Sequence, residues 1–191
     1  MNVVFVMDES GSMKHTDAEK LRYDAMDLFM GLAADTGNYM GAVAFDTEII
    51  LKQDVEKIDG ITSKEELSQK VRNSGSNGDT DIGKAIETAT KMLQGQGNPN
   101  LSSAIILLSD GNTDLKSSSA YEASIESKKN AIDIARTNGY KIYSVCLNAN
   151  DEADAAELKE ISEATGAISI EVKSADDLKD VLDGSLLEGM Q

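Results

Sequence analysis

Val3-Val4-Phe5-Val6-Met7 runs straight into Asp8-Glu9-Ser10-Gly11-Ser12, and this junction decides how the chain is read. Five apolar residues with no polar interruption describe a strand buried on both faces, the pattern of a parallel sheet. Just beyond it, Asp8, Ser10 and Ser12 set short oxygen-bearing side chains at alternate positions of a turn. Carboxylate and hydroxyl oxygens on one loop suit a hard divalent cation such as Mg²⁺, which takes oxygen ligands and keeps several waters. Alone, Asp-x-Ser-x-Ser matches many surface loops. Two later segments give it weight: Gly78-Asp79-Thr80-Asp81-Ile82-Gly83 and Leu107-Leu108-Ser109-Asp110-Gly111.

Outward from that strand, strand and helix patterns alternate, which predicts a mainly parallel sheet covered by helices on both faces. Lys20–Ala34 carries Leu21, Ala25, Leu28, Phe29 and Leu32 at helical spacing. Gly41–Phe45 and Glu48–Leu51 are apolar runs divided only by Asp46-Thr47, so a hairpin and one antiparallel edge strand are expected. Ser63-Lys64-Glu65-Glu66 matches a capping box and predicts a helix start at Ser63. A further helix starts at Thr80 or Asp81. Strand Ala104–Leu108, helix Tyr121–Thr137 stopped by Asn138-Gly139, strand Lys141–Leu147, helix Ala153–Ala164, strand Ala167–Val172 and helix Ala175–Leu187 complete the order.

The three oxygen-rich segments, in this order, resemble the von Willebrand factor type A (VWA) domain of bacterial type and its metal-ion-dependent adhesion site (MIDAS). The motif of that family is Asp-x-Ser-x-Ser, then a Thr at a helix start, then an Asp at the end of a central strand. Residue by residue, Asp8, Ser10, Ser12, Thr80 and Asp110 match it. The resemblance implies a Rossmann-like, doubly wound, six-stranded sheet in the order 3-2-1-4-5-6. In such sheets a ligand sits beyond the carboxyl ends of the strands where the order reverses, between strands 1 and 4. Asp8 ends the first and Asp110 the fourth, so both carboxylates are expected at that crevice.

The function implied is that of an adhesion-type protein-binding module, not an enzyme. One Mg²⁺, or Ca²⁺ or Mn²⁺ in its place, is held by the five residues directly or through water. A partner's Asp or Glu then completes the coordination. In members of the family that switch, Thr80 and Asp110 would compete for direct contact with the ion. Each directly bound carboxylate cancels part of the charge that an acidic partner needs. An intracellular subunit working with a chelatase- or MoxR-type ATPase is the alternative to a bacterial cell-surface setting. A phosphotransfer enzyme is disfavoured, because Ser10 stands where Asp-x-Asp enzymes have their second Asp and no Gly-x-x-x-x-Gly-Lys loop is present.

Composition fits one domain over residues 1–191, and Met1 against the first strand reads as a domain cut from a longer protein. Hydrophobic residues make up 40% and charged residues 27%, ordinary for a globular chain. With 18 basic and 34 acidic residues the net charge is −16, which disfavours nucleic acid and anionic membranes as partners. No run reaches the roughly 18 apolar residues of a membrane span, so direct membrane insertion is not expected.

Other residues read as structural. Cys146 lies in an apolar run and predicts a small buried core residue rather than a nucleophile. His15 is the only histidine, so a zinc site has no support. Glu9 points away from the ligands by alternation and is expected to be an exposed charge. Lys116-Ser117-Ser118-Ser119 reads as a loop on the metal face. Asp79 and Asp81 either add charge beside the ion, or both point into solvent, or Asp81 steadies a helix start through its dipole.

Overall fold

Strand β1 (Asn2–Asp8) is followed by a single turn, α1 (Met13–Thr16), and helix α2 (Leu21–Leu32). Strands β2 (Thr36–Phe45) and β3 (Ile49–Asp59) form the hairpin and lead into α3 (Ile61–Arg72). Then come α4 (Ile82–Gly95), β4 (Ser103–Ser109), α5 (Ser118–Asn138), β5 (Lys141–Leu147), α6 (Ala156–Ala164) and β6 (Ser169–Val172). This is a computed structural model, and it describes residues 1–75, 77–148, 155–174 and 176–178.

The strands make one six-stranded sheet in the order β3-β2-β1-β4-β5-β6, parallel throughout except for the antiparallel β2–β3 pair. The expected doubly wound fold is thus the observed one. β1 lies at its centre and all seven of its residues are buried. Side chains of a strand alternate between faces, so β1 feeds two separate cores. Val3, Phe5 and Met7 pack with Tyr23, Met26 and Phe29 of α2, where the Phe5 and Phe29 rings meet edge to face at 5.7 Å. Val4 and Val6 pack on the other face with Ile82, Ile86 and Ala89 of α4 and Leu158 and Ile161 of α6.

Several boundaries differ from the sequence reading. β3 runs on past Leu51 to Asp59, because as an edge strand it exposes one face and tolerates Lys52, Asp54, Glu56 and Lys57. That extension displaces the helix start: α3 begins at Ile61, directly after Gly60, whose φ of 88° makes the turn. The capping box at Ser63 is therefore not formed; the Ser63 hydroxyl instead faces back to the Asp59 carbonyl at 3.3 Å. Ser118 and Ser119 belong to α5, with Ser117 as its cap, rather than to a loop. Gly139, at φ 71°, ends α5 as expected. The predicted helix Ala175–Leu187 and the start of the helix at Ala153 fall mostly outside the described residues.

Candidate metal centre

Because the chain leaves β1 toward β2 and later returns to β4 on the opposite side, the loops after β1 and β4 part and leave a crevice. Asp8 is the last residue of β1 and is fully buried. Its Oδ1 accepts the backbone N–H of Ser10 at 2.8 Å, and its Oδ2 accepts the Ser109 hydroxyl at 2.6 Å. The Ser10 and Ser12 hydroxyl oxygens lie 3.1 Å apart, so the alternate spacing does bring them to one side of the loop. Asp110 follows Ser109 directly at the end of β4.

Thr80 is buried just ahead of α4, and two neighbouring loops fix its backbone. Its N–H donates to the Asp114 carbonyl at 2.8 Å, and Asp114 N–H returns a bond at 3.0 Å. The Gly11 N–H donates to the Gly78 carbonyl at 2.9 Å, which joins the Ser10–Ser12 loop to the Thr80 loop. A third support comes from the β2–β3 turn, where Asp46 Oδ2 accepts from Gly78 N–H at 2.9 Å and Thr47 Oγ1 from Asp79 N–H at 2.8 Å. The first two segments are thus joined backbone to backbone, the second is bridged to Asp114 just beyond the third, and the Ser109 hydroxyl ties the third to Asp8. Asp46, Thr47, Ser109 and Asp114 escaped the sequence reading, since only the folded chain brings them to the ligand loops.

Asp81 is the cap of α4: its Oδ1 accepts Lys84 N–H at 3.0 Å and the Ser124 hydroxyl at 2.6 Å. It is buried against α5, so it does not point into solvent, and its contacts are those of a helix start. Asp79 is partly exposed and lies 3.4 Å from the Lys116 ammonium. Glu9 corrects an expectation. It does point away from Asp8, but into the α2 side of the sheet, where it is 3% exposed. Arg22 Nη2 donates to its Oε2 at 3.0 Å and the Tyr23 hydroxyl to its Oε1 at 2.6 Å, while Arg22 Nη1 also reaches Asp17 at 2.6 Å. A buried carboxylate needs such partners, and α2 supplies them 13 and 14 positions along the chain. Cys146 is buried, as expected, and His15 is exposed on α1.

Electrostatics at the crevice are set by burial. Removal from water pushes the Asp8 carboxyl up to about 6; the bonds from Ser10 and Ser109 pull it down in part, and the nearby Asp110 charge raises it further. Among the described residues no Lys, Arg or His pairs with Asp8 or Asp110, and no group of three His, Cys, Asp or Glu side chains is placed to hold a metal ion. The five residues matched by the sequence motif offer two carboxylates and three hydroxyls instead. Such a set fits a small hard cation, and the like charges of the buried Asp8 and the partly exposed Asp110 are what a cation would relieve.

A model of the von Willebrand factor type A domain matches residues 2–184. The chain belongs to the VWA family. This VWA domain is 28% identical over 166 residues to calcium-activated chloride channel regulator 1 of Equus caballus, a match covering 87% of this chain and 16% of that protein. It spans about one-sixth of the length of such relatives. Among solved structures it superposes on a von Willebrand factor type A protein from Catenulispora acidiphila with a TM-score of 0.74 at 18% identity, covering 99% of this chain and 42% of that one. It is also similar to the pilus adhesin SpaC from Lactobacillus rhamnosus GG, at TM-score 0.70 and 13% identity over 97% of this chain and 30% of the adhesin. No helix among the described residues of the VWA domain is long and apolar enough to cross a membrane.

Proposed function

We propose that this VWA domain is an adhesion-type binding module that holds one divalent cation, Mg²⁺ first, on Asp8, Ser10, Ser12, Thr80 and Asp110. The ion would supply an electrophilic centre for an Asp or Glu side chain of a protein partner. The supporting observation is Asp8: a wholly buried carboxylate beside a second one, surrounded by hydroxyl and amide donors rather than by a basic group. Burying charge uncompensated is costly, and a cation among oxygen donors is the chemistry that offsets it. Family membership and the resemblance to a pilus adhesin support the adhesive setting.

The residues themselves do three things. The Ser10 and Ser12 hydroxyls offer lone pairs at the loop. Asp8 accepts hydrogen bonds from the Ser10 N–H and the Ser109 hydroxyl and holds negative charge at the strand end. The backbone ties of Gly11, Gly78, Thr80 and Asp114 fix the loops before any ion arrives, which lowers the ordering cost of binding. Calorimetric titration of the EDTA-stripped protein with Mg²⁺ tests the reading. One site is expected, and Asp8→Ala and Ser10→Ala should each lose it. If both variants bind Mg²⁺ as tightly as the parent, the assignment of these ligands is wrong.

A further inference from the structure

Thr16 ends α1, one turn beyond Ser12, and its hydroxyl faces two acceptors. One is the Ser12 carbonyl of its own turn, at 3.0 Å; the other is Oδ2 of Asp110, across the crevice. A threonine hydroxyl has a single proton, so it can serve only one of them at a time. The charged oxygen is the stronger acceptor. The backbone of Thr16 is tied down independently, because its carbonyl accepts the side-chain amide of Asn148 at the end of β5. Asn148 adopts a left-handed φ of 52°, which an asparagine tolerates better than most side chains. Thr16 is therefore held between β4 and β5 with its hydroxyl beside Asp110.

We propose that Thr16 is a positioning residue that holds the Asp110 carboxylate toward α1 and so limits its direct contact with a bound cation. The inference rests on the metal-binding reading above and gives a specific residue the task of setting how much ligand charge reaches the ion. Oδ2 is engaged by a hydroxyl, so turning that oxygen onto the cation must first break the bond, and the bond holds the whole carboxylate toward α1. The Ser12 carbonyl makes the break tolerable, since the freed hydroxyl turns back to it and no donor is stranded. Holding Asp110 back leaves the ion with more of its own charge for an acidic group of a partner. A threonine placed for helix capping alone would need only the Ser12 bond.

The test uses Mn²⁺ and Mg²⁺ as probes on the stripped protein. Thr16→Val and Thr16→Ala delete the hydroxyl, and Thr16→Ser keeps it. With the hydroxyl gone, Asp110 is free to bind the ion directly: Mg²⁺ affinity should rise roughly tenfold, the scale of one lost hydrogen bond to a charged group. Water-proton relaxivity of bound Mn²⁺ should fall, because a carboxylate oxygen displaces a coordinated water. Thr16→Ser should match the parent in both. The proposal is overturned if Val and Ala bind Mg²⁺ no more tightly than the parent, or if relaxivity stays unchanged. It is also overturned if Ser behaves as they do. A parent that binds no divalent cation at all would instead sink the metal-binding reading, so the two failures are distinguishable.

Discussion

Thr80 and Asp114 exchange both of their backbone hydrogen bonds, at 2.8 and 3.0 Å, as an isolated antiparallel bridge between two loops. Thr80 carries one proposed ligand, and Asp114 lies four residues beyond another, Asp110. The bridge makes the threonine and aspartate segments one mechanical unit, although 30 positions separate the two ligands in sequence.

That unit can be broken without touching a ligand. Asp114→Pro removes the N–H that donates to Thr80, whereas Asp114→Ala keeps the backbone donor. Loss of one such bond is worth about 1 kcal/mol. The proline variant should therefore bind Mg²⁺ roughly fivefold more weakly, with the alanine variant close to the parent. Calorimetry, with circular dichroism to confirm the fold, checks both.

The buried cluster of Glu9, Asp17, Arg22 and Tyr23 anchors the other side of the ligand loop. Burial pulls the Arg22 guanidinium down, but the Glu9 and Asp17 carboxylates outweigh it and hold it above its ordinary range. The Tyr23 phenol is pushed up to about 12 by burial first and by Glu9 second. Arg22→Met leaves two buried carboxylates without their cation. Breaking one partner of such a group costs about 3–5 kcal/mol. Urea unfolding should show a loss of that size; a variant as stable as the parent would mean that the cluster contributes nothing to the fold.

Two glycines make opposite predictions. A Cβ on Gly83 would run into the backbone carbonyl of Ser124, where α4 and α5 touch, so neither side can yield cheaply. Gly83→Ala should cost at least about 3 kcal/mol or prevent folding. Gly31 lies inside α2 with open space where a Cβ would go. Gly31→Ala should gain roughly 0.5–1 kcal/mol from helix propensity. Thermal melts of the pair give the two signs directly.

These contrasts show which parts of the fold were legible beforehand. The unbroken apolar run of β1 and the period of α4 report burial locally, so residues 3–7 and 82–93 could be read without a partner. The second half of β3 could not, because an edge strand with one exposed face carries no apolar run. Glu9 was misread for a related reason: alternation gives its direction, but its burial depends on Arg22 and Tyr23 arriving from α2. The candidate ligands were visible through their motif. Thr16, Asp46, Ser109 and Asp114, which hold those loops, were not, since each acts through a contact made only by the folded chain.

The Asp8 carboxyl predicts an unusual response to pH. Its folded-state value of about 6 lies above the ordinary value of 3.8, so between these limits the folded metal-free protein binds the additional proton. For this group, metal-free stability is present below about 4 and is lost as pH rises through about 6. Neutralising Asp8 by mutation to Asn should flatten that part of the stability–pH curve measured without metal. Conversely, Mg²⁺ must displace the proton, so affinity should fall as pH drops below about 6, by up to roughly tenfold per unit. Titrations at several pH values check the sign, and an affinity independent of pH from 7 to 5 would remove Asp8 from the site.

The most direct measurement is anomalous diffraction from crystals grown with Mn²⁺ in place of Mg²⁺. One strong peak is expected at the carboxyl ends of β1 and β4, in contact with the Ser10 and Ser12 hydroxyl oxygens and lost in Asp8→Ala. A peak elsewhere with this crevice empty, or an undiminished peak in the Asp8→Ala crystal, would contradict it.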